Sequence, residues 1–437
     1  MKVTFYTAAT IVIEVANKKI LCDPWLYGGA FYGSWYHYPP FDFDSTEFED
    51  IDYIYISHTH EDHLCPKSLA ALNKNIPVLI HKFKAPFLKN IIERAGFKTI
   101  ELEHGEPYHL DEQSHFKVFS SQTCAPESEA KQSAIDTFCL VHDGTHTLLN
   151  TNDNFIEHIE SELYKIKEEY SHIDFLAHVY TSASPYPQMT QSLSEEEMRQ
   201  EQSRVTKWCY DRSAALVQLL NPRFHFPFAG YYLLGGKLAQ YNNWRVNSSP
   251  YEAKCYYKEN YPYCLRNNEC VIFNRGTTFD IKTGLADKEY IAEDPVAKEH
   301  YVQDVLSKVK FDYEHTAENG VVAEINDLLE ECYNRMERHR QRQNFTTSTK
   351  VFIKALEDAY IAISMCGEGV QWATFEDIAK EEQYVLMDLD PRLLLNILKG
   401  PRYAHWDNAD TGSHIKYYKK PNIFERGIYH TICYFHG

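Results

Sequence analysis

Short apolar runs, mostly β-branched and aromatic, punctuate the first two thirds of the chain and predict strands. Residues 2 to 22 carry strands with a turn near Asn17-Lys18, and the third run, KKILCDPWL, ends at Asp23. The run IDYIYIS predicts a buried strand that opens into Ser57-His58-Thr59-His60-Glu61-Asp62-His63. Then come a short helix near Lys67 to Leu72, the strand IPVLIHK, a helix from about Ala85 to Ala95 and a strand around Thr99 to Leu102. HFKVFSSQ, AIDTFCLVH and HTLLNTNDN read as strands, the last delivering Asp153 at its end, and helix 155–169 with strand HIDFLAHVY repeats the unit. The alternation predicts an α/β fold.

Ser194 to Glu197 form a capping box, and the helix they start runs to about Leu220, where Asn221-Pro222 ends it. RFHFPFAGYYLLGGK predicts another strand and a glycine-bearing loop. Beyond about residue 285 the pattern turns helical, over 296–310, 321–342 and 350–363. EEQYVLMDLDPRLLLNILKG then reads as strand and helix, and IKYYKKP and GIYHTICYFHG as strands. The division expected is a catalytic domain over 1–285 and a smaller unit, helical then α+β, over 286–437.

The chain has 437 residues, 44% of them hydrophobic, enough for a sizeable core. A net charge of -18 argues against nucleic acid and anionic membrane as partners, since both surfaces are negative. No apolar stretch is long enough to span a bilayer. MKVTFYTAATIVIEV alternates like a strand and shows no secretory pattern, and eleven cysteines without a C-x-x-C pair fit a reducing compartment, so a cytoplasmic protein is expected. No cysteine is followed two positions later by histidine, so the paired motifs of a Rieske cluster are not expected.

The H-x-H-x-D-H stretch carries the densest chemistry. His58 and His60 can converge on one metal ion, and Asp62 and His63 can reach a second. Asp23 and Asp153 bring carboxylates from two other strand ends, and sites in layered α/β folds are assembled from such loops. Imidazole and carboxylate suit iron or zinc with positions open to water, oxygen or substrate. The loop YGGAFYGSWYHYPPF reads as one wall of a pocket. A second His/Asp cluster, His405, Asp407, Asp410 and His414 in AHWDNADTGSH, matches no metal spacing and reads as a polar loop closing over that pocket.

Asp23, His58-Thr59-His60-Glu61-Asp62-His63 and Asp153 resemble the first, second and fourth motifs of the metallo-β-lactamase superfamily. The resemblance implies an αββα sandwich with a metal site along one edge. DPWLYGGAF, IYISHTHEDHLCPKSL, LLNTND, SASPYPQMT and PRFHFPFAGYY are similar to the catalytic portion of the CMP-N-acetylneuraminate hydroxylase family. Two departures stand out. The third-motif histidine is replaced by TCAPESEAKQSAIDT, where either Cys124, Glu127, Glu129 or Gln132 substitutes or the first site is incomplete, and the fifth-motif histidine by Ala229, with His225 nearby.

The metal ligands expected are therefore His58, His60, Asp62, His63, Asp153 and Asp23, with Asp62 and His63 nearest the reaction. The resemblance implies one or two iron ions and a hydroxylase acting on a nucleotide sugar, amino sugar or similar polar metabolite; without Rieske motifs, electrons are expected from a separate ferredoxin or reductase partner or from the substrate itself. Zinc-dependent hydrolysis of an ester, amide or phosphodiester is the alternative, with Asp62 orienting or deprotonating the water. A non-catalytic ligand-binding relative is the third reading. Tyr231, Lys237, Arg245, Arg275 and His225 are the substrate-contact candidates.

Overall fold

The computed structural model of the protein describes residues 1–121, 136–317 and 320–437. Side-chain alternation decides which way each strand faces. In Thr10–Val15, Ile11 and Ile13 turn to one side and Val12 to the other, and all three are buried. In Thr137–His142, Cys139 and Val141 face inward while Phe138 and Leu140 face outward. Strands apolar on both sides need cover on both sides, which two sheets and two helical layers provide.

The first sheet has eight strands, in the spatial order Leu285–Ala286, Thr277–Asp280, Lys2–Thr7, Thr10–Val15, Lys18–Cys22, Tyr53–Tyr55, Val78–His81 and Thr99–Leu102. The second has seven: Glu269–Cys270, Phe224–Pro227, Phe175–His178, Thr147–Asn150, Thr137–His142, His115–Ser120 and Tyr108–His109. Between them Ile11, Ile13 and Tyr55 meet Phe116, Val118, Phe175 and Phe226. Pro66–Ala71 and Phe87–Arg94 cover the outer face of the first sheet through Leu69, Leu88 and Ile92. Ile156–Glu169, Glu195–Leu220 and Pro250–Asn260 cover the second. The architecture is the αββα sandwich. Among the described residues no helix is long and apolar enough to cross a membrane.

A further sheet of five strands follows, in the order Val370–Ala373, Tyr360–Ile363, Lys350–Lys354, Tyr384–Asp388 and Lys416–Lys420. Val321–Arg342 and Pro391–Leu398 pack on it through Ile325, Leu329, Met336, Leu394 and Leu398. It joins the sandwich where Tyr417 N–H donates to the Met189 carbonyl at 2.8 Å and Gln191 N–H donates to the Tyr417 carbonyl at 2.7 Å.

Three stretches depart from the sequence reading. Residues 350–363 form a hairpin instead of a helix: the chain reverses at Ala355 to Ala359, and Val351, Ile353, Ile361 and Ile363 bury one face of the pair. Two apolar runs of four or five residues fit a helix or two strands equally by period, and pairing with Tyr384–Asp388 selects strands. GIYHTICYFHG, expected as strand, carries the helix Arg426–Ile432. AHWDNADTGSH, expected as loop, carries the helix Trp406–Thr411, whose N-cap is His405.

Candidate metal centre

Four chain segments deliver the site at one edge of the sandwich. Strand Lys18–Cys22 ends at Asp23, Tyr53–Tyr55 leads to the histidines, Thr147–Asn150 leads to Asp153, and Thr137–His142 starts just after Asp136. Asp23 (φ 45°) and Asn152 (φ 52°) adopt the left-handed conformation that Asp and Asn tolerate best after glycine, which turns the chain sharply inward. Ser57 ties the layers together: its backbone N–H donates to Asp23 Oδ1 at 2.8 Å, and its carbonyl accepts from Thr137 Oγ1 at 2.7 Å.

Two ligand groups share His58. Nitrogen and oxygen atoms of His58, His60 and Asp136 lie within 4.8 Å of one another, and so do those of His58, His63 and Asp153. Ser57 Oγ sits 2.9 Å from His58 Nδ1, leaving Nε2 to face the cluster, where it lies 2.8 Å from His60 Nδ1 and 3.6 Å from Asp136 Oδ1. His63 Nε2 lies 3.2 Å from Asp153 Oδ2 and 3.4 Å from Asp62 Oδ2. Among the described residues, His63 Nε2, Asp153 Oδ1 and Asp136 Oδ1 are buried without a hydrogen-bond partner. Buried polar atoms left unpaired are costly, and a cluster of them from imidazole and carboxylate is what a divalent cation satisfies. The residues fit a metal with N/O preference.

The electrostatics point the same way. Burial and the neighbouring His63 and His60 rings push the His58 imidazole down, so it is neutral. Burial works against charge on His63 too, but Asp153, Asp62 and Asp23 outweigh it and raise its pKa. Burial likewise opposes charge on His60, yet Asp407 lifts it to about 9. Burial raises Asp136 to about 6. Protons on His60 and His63 thus neutralise a carboxylate cluster, a role a bound cation takes over with proton release.

Asp23 sits one layer behind the cluster instead of among the ligands. Its Oδ2 accepts from Asn152 Nδ2 at 2.5 Å and lies 3.2 Å from His63 Nδ1, so both oxygens are committed and its role is to orient His63. His225 is directed elsewhere altogether. Phe224 and Phe226 face the core between the sheets, so His225 faces the helices, with Nδ1 3.2 Å from His178 Nε2. Cys124, Glu127, Glu129 and Gln132 lie outside the described residues.

The substrate-contact candidates are dispersed. Lys237 lines a cavity of about 500 Å³ with Tyr313, Asp390 and His414, and is shared between Glu314 and Asp390 at 3.4 Å each. Tyr231 donates to Glu293 at 2.5 Å, and Arg275 pairs with Glu47 at 3.0 Å; both line a small cavity of about 50 Å³. Arg245 is 4% exposed, its guanidinium 4.4 Å from the centroid of the Tyr232 ring, and its Nε and Nη1 have no hydrogen-bond partner among the described residues. Tyr232 in turn stacks on Trp35 at 3.3 Å.

Sequence reasoning missed Asp136, and it placed Asp407 in a loop closing over the pocket without assigning it a part in the metal centre. Asp136 precedes a strand as Asp23 and Asp153 follow theirs, and the same strand-edge argument would have found it. Asp407 comes from the helix Trp406–Thr411, and its Oδ2 lies 3.1 Å from His60 Nε2. On the same side Asn408 Nδ2 donates to Glu61 Oε1 at 3.1 Å, His405 N–H donates to Tyr32 Oη at 2.7 Å, and His414 Nε2 meets the Phe31 carbonyl at 2.8 Å. The aromatic loop is thereby held in place, with Phe31 and Tyr32 at φ 52° and 58°.

Residues 2–160, which hold all the candidate metal ligands described, match the family model of the beta-lactamase superfamily domain. That part of the chain is thus similar to the beta-lactamase superfamily domain. Among curated proteins the chain is 31% identical over 191 residues to a putative Rieske 2Fe-2S iron-sulfur protein of Mycobacterium tuberculosis, covering 43% of this chain and 36% of that one. It is 30% identical over 244 residues to the cytidine monophosphate-N-acetylneuraminic acid hydroxylase of Xenopus laevis, covering 53% and 38%. The chain thus spans little more than a third of the length of these relatives. A solved structure, CmlA, a diiron beta-hydroxylase from Streptomyces venezuelae, is similar over 62% of this chain and 52% of its own, with 16% identity and a TM-score of 0.41.

Proposed function

We propose that the chain is a metal-dependent oxygenase that holds one or two iron ions at the histidine cluster and hydroxylates a polar, anionic small molecule. The donor set carries this reading: His58, His60 and His63 with Asp136 and Asp153, and Asp62 beside His63, offer only nitrogen and oxygen, with no thiolate among the described residues of the two groups. Such sets suit iron and leave coordination positions open. Relatives named as hydroxylases of a nucleotide sugar support a nucleotide sugar or amino sugar as substrate. Bound iron would supply dioxygen activation, so that substrate C–H, dioxygen, two electrons from a separate donor and two protons yield C–OH and water.

The chain's own residues bind, orient and exclude water. Ser57 fixes His58 and Asp23 fixes His63, each through the ring nitrogen away from the cluster. Asp62, with Oδ2 beside His63 Nε2, is the group available to hold or return a proton there. Of the four non-histidine substrate candidates, Tyr231, Lys237 and Arg275 already have acidic partners, and Arg245 has none among the described residues. A buried guanidinium without a carboxylate is the natural seat for a substrate carboxylate or phosphate. The Trp35–Tyr232–Arg245 stack forms a dry wall beside it.

The test is an oxygen-electrode trace on iron-reconstituted protein with a chemical reductant, with and without a cytidine monophosphate sugar. Substrate-dependent oxygen uptake and a product heavier by one oxygen are expected. Stoichiometric zinc in the isolated protein, with ester or phosphodiester turnover independent of oxygen, would overturn the proposal in favour of a hydrolase. Refusal of both metals, with His60→Ala indistinguishable from wild type, would leave a ligand-binding protein.

A further inference from the structure

We infer that Asp407, from the C-terminal unit, is a positioning residue of the metal centre that sets the orientation of His60. The inference rests on the metal-centre reading but not on the reaction. His60 presents Nδ1 to the cluster, 2.8 Å from His58 Nε2, and its opposite ring nitrogen, Nε2, meets Asp407 Oδ2 at 3.1 Å. A ring that offers Nδ1 to a metal must carry its proton on Nε2, and an acceptor on that side selects this tautomer and fixes the ring plane. Ser57 does the same for His58 and Asp23 for His63, both from within the sandwich. His60 is the one of the three whose outer partner comes from outside the sandwich, 347 positions further along the chain.

The carboxylate is itself held. His405 caps the helix Trp406–Thr411 by accepting the Asp407 backbone N–H at Nδ1, 3.2 Å away. Trp406, 2% exposed, anchors the helix by donating from Nε1 to the Phe435 carbonyl at 3.0 Å. Asn408, next in the helix, grips Glu61 of the same motif. The C-terminal unit therefore completes the centre, and the ligand group of His58, His60 and Asp136 depends on it where the group of His58, His63 and Asp153 does not.

The experiment is cobalt(II) binding to the metal-free full chain, followed by chelator competition and by the visible absorption of the bound ion. In Asp407→Ala we expect one of two cobalt ions to bind on the order of 10–100-fold more weakly, with a changed spectrum for that ion and the other unaltered. Asp407→Asn, which keeps an acceptor oxygen, should recover part of the loss. Asn408→Ala, which breaks the grip on Glu61 but leaves the His60 partner, should bind cobalt like wild type. Wild-type affinity and spectrum in Asp407→Ala would overturn the inference, as would an equal loss in Asn408→Ala, which would mean docking and not His60 orientation. A wild-type chain that takes up no cobalt would overturn the metal centre itself, an outcome read separately from any assay of oxygen chemistry.

Discussion

Replacing Asp23 by Asn probes how tightly the sandwich prepares its metal ligands. Asp23 is fully buried and accepts from two donors, Ser57 N–H at Oδ1 and Asn152 Nδ2 at Oδ2, with His63 Nδ1 3.2 Å from Oδ2. An Asn side chain has the same size and tolerates the φ of 45°, so neither packing nor backbone is disturbed. It has, however, only one acceptor oxygen, and its NH2 must point at either the Ser57 donor or the Asn152 donor. At least one buried donor is left unpaired, at about 1–3 kcal/mol, so a loss of that size is expected. His63 also loses the carboxylate behind it, and metal affinity should fall on the order of 10–100-fold. Urea unfolding of the metal-free protein measures the first effect and chelator competition the second. A variant within about 0.5 kcal/mol of wild type at unchanged m-value, below the size expected for any such mechanism, would refute the reasoning.

Arg245→Met should separate binding from stability: removing a buried charge that lacks a carboxylate partner should leave the urea midpoint unchanged or raised, while KM for an anionic substrate rises at least tenfold. A lowered midpoint with unchanged KM would assign Arg245 a structural role instead. Acid should destabilise the fold, because burial depresses His81, His178 and His414 to about 4 and His37 to about 3, so the unfolded chain binds more protons between pH 6.5 and 4. Burial raises Asp136 and Asp410 to about 6, which opposes the trend below that pH without reversing it, so the urea midpoint falls as the pH is lowered from 6.5 to 4; a midpoint that rises on acidification would contradict it. Trp406→Ala should cost about 3–5 kcal/mol in the unfolding of the C-terminal unit, read by urea titration, and should weaken cobalt binding through Asp407.

Much of the sandwich was legible because its strands are short, apolar and separated by strong breakers. Ile156–Glu169, Glu195–Leu220 and Val321–Arg342 follow their sequence patterns to within a residue or two at each end. The hairpin over 350–363 was not, since apolar runs of that length carry no period that separates strand from helix, and its strand character comes from a partner later in the chain. At the site, the contiguous H-x-H-x-D-H stretch announced itself. Whether an aspartate at a strand end touches the metal or stands behind a ligand is a matter of which way a left-handed residue aims its side chain, and spacing is silent on that for Asp23. His225 was decidable in principle, because its neighbours Phe224 and Phe226 claim the inner face. AHWDNADTGSH was read as closing over the pocket, but the pairing of Asp407 with His60 was not legible, because nothing local to that stretch records which residue lies beside it.

The account stands or falls on His58, the residue shared by both ligand groups. Metal analysis after anaerobic iron loading, on wild type, His58→Ala and Asp136→Ala, tests it most directly. The account predicts up to two iron ions per wild-type chain, at most one in Asp136→Ala, and a loss at both positions in His58→Ala. Undiminished iron in His58→Ala, with the protein folded, would contradict it.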